Sequence, residues 1–177
     1  MSPIDGEEFL DALRSLGEKV HRRGVVADVY IFGGAAMVLA YKARPATRDI
    51  DAVFAPDTEV VEAAREVARE RGWPPSWLNN QASAYVSRVP DREQQLILEA
   101  TGIRCMAASP EHLLAMKMMA ARQIQDAGDI RFLIEKLGLH SVQEVIDLVG
   151  EVFPEQPVSK QGRLLLEDIL DRLGSGC

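Results

Sequence analysis

Two aspartates one residue apart, Asp49 and Asp51, follow a pair of adjacent glycines, Gly33 and Gly34, within the stretch DVYIFGGAAMVLAYKARPATRDIDAVF that runs from Asp28 to Phe54. If Arg48 to Phe54 is extended, side chains alternate between faces, so both carboxylates point one way and Ile50 the other. They then stand roughly 7 Å apart along the strand. At an effective dielectric near 20 their repulsion is about 2.5 kcal/mol before screening. A divalent cation reverses that sign, and magnesium, or manganese in its place, suits a pair of carboxylates completed by water and phosphate oxygens. The glycines supply the complementary half. Without Cβ atoms they let backbone N–H groups approach a ligand, and a helix behind them directs its positive end at the same place, an arrangement that receives phosphate. Together these residues read as a site for a metal-bound nucleoside triphosphate.

The elements that must position them follow from local preference. Val29 to Phe32 is a short apolar strand that breaks at Gly33-Gly34, and Ala35 to Ala40 favours a helix that Pro45 ends. Lys42, Arg44 and Arg48 flank the site, as solvated turn residues or as anion contacts. Glu7 to Arg23 carries Phe9, Leu10, Leu13, Leu16 and Val20 at helical spacing, an amphipathic helix that should cover the sheet, and Gly24 stops it. Arg22 and Arg23 suit that helix's C-terminus. After Pro56-Asp57-Thr58 a second helix, Glu59 to Arg71, turns Val60, Ala63, Ala64 and Val67 inward and leaves its Glu and Arg residues on a solvated face. Trp73 and Trp77 sit around two prolines, where packing under the loop competes with base stacking. Two strands, Gln95 to Glu99 and Ile103 to Ala107, are hinged at Thr101-Gly102. Ser109-Pro110-Glu111 then opens a helix that runs through Lys117 toward Arg122, with Ser at the N-cap and Pro first inside. Further helices are expected from Asp126 to Leu137, from Val142 to Val149 and from Leu164 to Leu173. In the first of these, Asp126 lies close to the middle of the apolar face and Asp129 at its margin, where a carboxylate needs a partner; N-capping and dipole compensation in the first turn compete with a role in a site.

The order Gly33-Gly34, short helix, Thr47-Arg48-Asp49-Ile50-Asp51 resembles the signature of the nucleotidyltransferase superfold, in which a Gly-Gly or Gly-Ser turn precedes a metal-binding Asp-x-Asp. A second match, Ala108 to Lys117 followed by Asp126 and Asp129-Ile130, is similar to the minimal nucleotidyltransferases related to the AbiEii and MenT toxins of bacterial toxin–antitoxin systems. The resemblance spans Asp28 to Leu137. It implies that Asp49 and Asp51 hold the metal, that Gly33 and Gly34 cradle the triphosphate, and that Lys117 meets phosphate or the leaving pyrophosphate. Asp126 and Asp129 would orient that lysine, and Arg48 and Arg122 would assist with the nucleotide. The implied chemistry is in-line attack of a hydroxyl on the α-phosphorus. The acceptor it suggests is a tRNA 3′ end, with a cognate antitoxin as partner. In one respect the sequence departs from the superfold: many members place a third carboxylate on a later strand, whereas Ile103 to Ala107 contains no acid, leaving Glu99 or Glu93 as substitutes.

The 177 residues, 47% hydrophobic and 27% charged, describe an ordinary folded chain. The expected fold is α/β (α+β), a mixed sheet with flanking helices. Its core would occupy residues 1–108 with the N-terminal helix, and a helical C-terminal part would occupy 109–177. A net charge of −7 argues against a surface that coats nucleic acid in general. Two cysteines, Cys105 and Cys177, make neither a disulfide framework nor a zinc site. No apolar run is long enough to cross a bilayer and the N-terminus lacks signal-peptide regions, so a cytoplasmic protein is expected. Two other readings compete with RNA modification: adenylylation of a small molecule or protein, and a nucleotide- or partner-binding module without catalysis.

Overall fold

The amphipathic N-terminal pattern becomes α1, Gly6–Arg22, in the computed structural model, which describes residues 2–120 and 125–174. Asp5 caps it, its side chain accepting the Glu8 N–H at 2.9 Å. Phe9, Leu13, Leu16 and Val20 are fully buried on one face. A second helix, α3, Asp57–Arg71, buries Val60, Ala63, Ala64 and Val67 and ends on Gly72 in the left-handed conformation. Both helices pack on a five-stranded mixed sheet made by β2 (Ala27–Phe32), β4 (Ile50–Ala55), β5 (Leu78–Asn79), β6 (Gln95–Ala100) and β7 (Ile103–Ala107).

The strand order is β5-β4-β2-β7-β6. β2 is antiparallel to β4 and parallel to β7, β4 is parallel to β5, and β6 is antiparallel to β7. Because β2 lies at the centre, its Val29 and Ile31 are buried toward the helices. On the opposite face Asp28 is exposed and Tyr30 half-buried, with exposed Val53, Ala55 and Arg104 on the strands either side. One face of the sheet is thus a core and the other a surface. A two-residue pair, β1 (Ile4–Asp5) with β3 (Ala46–Thr47), forms a separate small sheet.

The face of α3 expected to be solvated is exposed at Glu62, Arg65, Arg69 and Glu70, but it also carries ion pairs to α1. Lys19 and Arg23 at the end of α1 reach Glu70 and Glu66 at 2.5 Å each, and Arg23 also donates to the Lys19 carbonyl. The Arg23 hydrogen bond, first, and charge hold the Glu66 carboxyl below its ordinary range. Arg23 therefore serves helix packing.

Two compact units are present. One comprises Met1–Ala84 with Glu93–Ala108, and holds the sheet; the other comprises Tyr85–Arg92 with Ser109–Cys177. The second is helical: α4 (Pro110–Met119), α5 (Ala127–Leu137), α6 (Val142–Val152) and α7 (Lys160–Gly174). Ser109 caps α4 by accepting the His112 N–H, Ser141 and Glu144 form a capping box on α6, and left-handed Gly138 ends α5. Its core gathers Leu113, Leu114, Met118, Ile130, Leu133, Ile134, Val145 and Leu166.

Candidate active site

β4 begins at Ile50, two residues later than the sequence suggests, so Asp49 precedes the strand and Arg48 lies in a bend. Alternation nevertheless holds, with fully buried Ile50 between two half-buried acids. Asp51 is paired with Phe32 of β2 and with Asn79 of β5. Asn79 is its parallel neighbour, so the two side chains share a face. From that position the Asn79 amide reaches Asp49 Oδ2 at 3.5 Å and also donates to the Ser76 carbonyl at 3.3 Å. Asp49, Asp51 and Asn79 therefore project from one side of the sheet edge.

The glycines start the next helix rather than preceding it: α2 is Gly33–Leu39. It ends well before Pro45, at a turn in which Lys42 takes φ +51°. Gly33 has φ +62°, which L side chains rarely adopt, and a Cβ there would stand 3.3 Å from Asp51 Oδ2. The carboxylate thus lies directly against the glycine backbone. A Cβ on Gly34 would meet Thr47 Oγ1 at 3.0 Å and Arg44 Nη1 at 3.6 Å. No side chain caps α2. The bare turn is flanked by an acid on one glycine and by a hydroxyl and a guanidinium on the other. Sequence reading left Arg44 undecided and did not single out Thr47; the signal was their position just ahead of Asp49, in the return from α2 to β4.

Two half-exposed carboxylates make a donor set that fits a hard divalent cation completed by water and phosphate oxygens, while the Asn79 amide, its nitrogen toward Asp49 and its oxygen accepting the Gln81 N–H at 3.1 Å, positions Asp49 and adds no ligand. Glu93 and Glu99 do not extend it. Among the described residues no three His, Cys, Asp or Glu side chains come together as a metal site.

In the helical unit, Lys117 of α4 lies between two acids, with Nζ 3.0 Å from Asp126 Oδ1 and 2.8 Å from Asp129 Oδ2. The lysine and Asp129 side chains are 7% and 6% exposed, so the ion pair is desolvated. Asp126 occupies the N-cap of α5 without forming a side-chain cap bond. Its carboxylate is directed to the lysine instead. Nearby, His112 is buried, its Nε2 donating to the Val89 carbonyl at 3.2 Å and its Nδ1 3.5 Å from Asp91 Oδ1. Asp91 also accepts the Ser109 N–H at 2.8 Å, so this cluster ties the Tyr85–Arg92 segment to the start of α4.

The remaining candidates separate clearly. Arg48 is exposed, and Arg122 and Cys177 lie outside the described residues. Trp77 is fully buried and donates Nε1–H to the Ala64 carbonyl at 2.9 Å, while Trp73 packs edge-on against Phe9 and Trp77. Packing, rather than base stacking, accounts for both. Burial pushes the Cys105 thiol up to about 12. On the open sheet face, next to the Asp51–Phe32 row, Tyr30, Val53 and Met106 floor a cavity of about 390 Å³ rimmed by Asp28, Gln94 and Arg104.

A family model described as a nucleotidyltransferase of unknown function (DUF6036) matches residues 8–162. No curated protein and no solved structure matches the chain.

Proposed function

The chain belongs to the DUF6036 nucleotidyltransferases, and from that premise we propose that it transfers a nucleotide from a nucleoside triphosphate to a hydroxyl acceptor, with magnesium, or manganese, held by Asp49 and Asp51. The observation that carries this reading is the Asp51 carboxylate set against the bare backbone of Gly33, with Asp49 on the same side through Asn79.

The cation would supply charge neutralisation at the phosphates and polarise the α-phosphorus. The chain's own residues do the rest. Gly33 and Gly34 leave room for phosphate to approach the backbone, and Thr47 offers a hydroxyl beside them. The acceptor oxygen bonds to the α-phosphorus as the bond to the β-phosphate bridging oxygen breaks; its proton leaves with solvent or to a carboxylate, and pyrophosphate departs. The open face beyond Asp51 gives the acceptor a route. The toxin resemblance also implies a phosphate role for Lys117, which Asp126 and Asp129 hold within the helical unit, and it puts a tRNA 3′ end first among acceptors and an antitoxin among partners.

The test offers α-labelled nucleoside triphosphates and magnesium to total tRNA, to a lysate and to its small-molecule fraction. Label is expected in RNA, and it should fall by about a hundredfold or more in Asp49→Ala and Asp51→Ala, a loss of the size seen when a charge-stabilising group is removed. Label in protein or a small molecule would replace the acceptor. Equal labelling by wild type and both variants refutes the catalytic role.

A further inference from the structure

The turn after α2 is pinned at several points. The Ala43 N–H donates to the Met37 carbonyl at 2.9 Å, and the Tyr41 hydroxyl donates to the Ala108 carbonyl at 2.7 Å. Between them Lys42 holds a positive φ of 51°, a conformation a side chain other than glycine keeps only when its surroundings hold it there. The consequence of this turn is the placement of Arg44, whose half-buried guanidinium is carried back over Gly34, beside the Thr47 hydroxyl. Lys42 and Arg48, the other cations of the segment, are exposed. Solvent and salt screen them more than they screen Arg44.

Gly33 faces the Asp51 carboxylate, whereas Gly34 faces a fork-shaped cation and a hydroxyl. An anion at this turn is repelled on the first side and attracted on the second. Arg44 already makes contacts within the protein. A guanidinium has five N–H donors in a fixed plane, enough to serve those contacts and grip phosphate oxygens in pairs. Resting on the nucleotide-site reading given above, we propose that Arg44, helped by Thr47, binds the terminal phosphates of the nucleotide across Gly34 and makes the site select triphosphates over monophosphates and nucleosides. The feature that assigns this role to Arg44 is the approach of its guanidinium to a backbone position stripped of Cβ.

The experiment measures equilibrium binding of ATP, ADP, AMP and adenosine with magnesium, by competition against a fluorescent ATP analogue. GTP, CTP and UTP are run in parallel so that the tightest base is used. Wild type, Arg44→Ala, Arg44→Lys and Thr47→Ala are compared. Wild-type affinity should rise with phosphate number. Arg44→Ala should weaken triphosphate binding by about 10- to 100-fold, the loss of one or two charge-assisted bonds, and leave adenosine and AMP unchanged. Arg44→Lys should recover part of that loss, because it restores charge without the planar fork, and Thr47→Ala should show a smaller version of it. A parallel loss for all four ligands would make Arg44 structural and overturn the proposal, as would unchanged triphosphate affinity in Arg44→Ala. If wild type itself binds no nucleotide, the nucleotide-site reading fails with it. If wild type prefers triphosphate and Arg44→Ala prefers it to the same degree, only the role of Arg44 fails.

Discussion

Replacing Gly33 by alanine separates backbone strain from site chemistry, because the chain contains its own control. Gly33 and Gly72 both adopt left-handed backbone, at φ +62° and +67°. An alanine forced into that region costs about 1–2 kcal/mol, offset by roughly 0.4–1 kcal/mol from the less flexible unfolded chain. Each variant should therefore lose about 1 kcal/mol. With a urea dependence near 2 kcal/mol per molar, the midpoint falls by about 0.5 M in both. What differs is the space. A Cβ at Gly72 meets nothing within 4 Å, whereas at Gly33 it stands 3.3 Å from Asp51 Oδ2, so the carboxylate must give way by a few tenths of an ångström. Small displacements of a reacting group are costly, and a fall of about tenfold or more in transfer rate is expected for Gly33→Ala, with wild-type rate in Gly72→Ala. Urea midpoints and transfer of labelled nucleotide are measured side by side. Equal transfer rates in the two variants, at equal loss of stability, would refute the argument that Asp51 and the Gly33 backbone bound one site.

Asp129→Ala removes the closer acid from a lysine that is 7% exposed. Leaving a buried charge short of a partner costs about 3 kcal/mol, so the urea midpoint should drop by roughly 1.5 M; a drop under a third of that would show the pair contributes little to folding. Glu66 gives a pH dependence with a definite sign. Its folded carboxyl is held below the ordinary 4.5 by Arg23, so its contribution is complete above that pH and is lost as pH falls through the lower folded value. The stability gap between wild type and Glu66→Gln should accordingly close on acidification, and a gap that widens instead would contradict the pairing. Cys105, buried and with its thiol pushed up to about 12, should resist a thiol reagent in folded Cys177→Ser protein and react only in denaturant.

Much of this was readable from residue order. Apolar spacing gave α1 and α3, Ser109-Pro110 marked the start of α4, and alternation about Ile50 put the two acids on one side. What escaped were features set by distant partners. Nothing local indicates that Ile4–Asp5 pairs with Ala46–Thr47, since two residues carry no period. The Glu residues of α3 have the spacing of a solvated face, and only the approach of Lys19 and Arg23 from α1 engages them. For Asp126 local position suggests a cap, and it was the family resemblance that pointed to the lysine one helix earlier, which takes its carboxylate. Arg44 was ambiguous for the same reason: its value depends on a turn geometry that its own sequence neighbours do not declare.

The β1–β3 ladder connects Ile4–Asp5 to the segment that leads into Asp49 by main-chain atoms alone. Ile4 is partnered with Thr47, and Asp5, its neighbour in the same rung pair, also holds the first turn of α1. A binder that peeled this short ribbon away, or a deletion of it, would slacken the run leading into Asp49 and free Thr47 from its place beside Gly34. Activity would then answer to tension on the leading end, a control line made of peptide bonds.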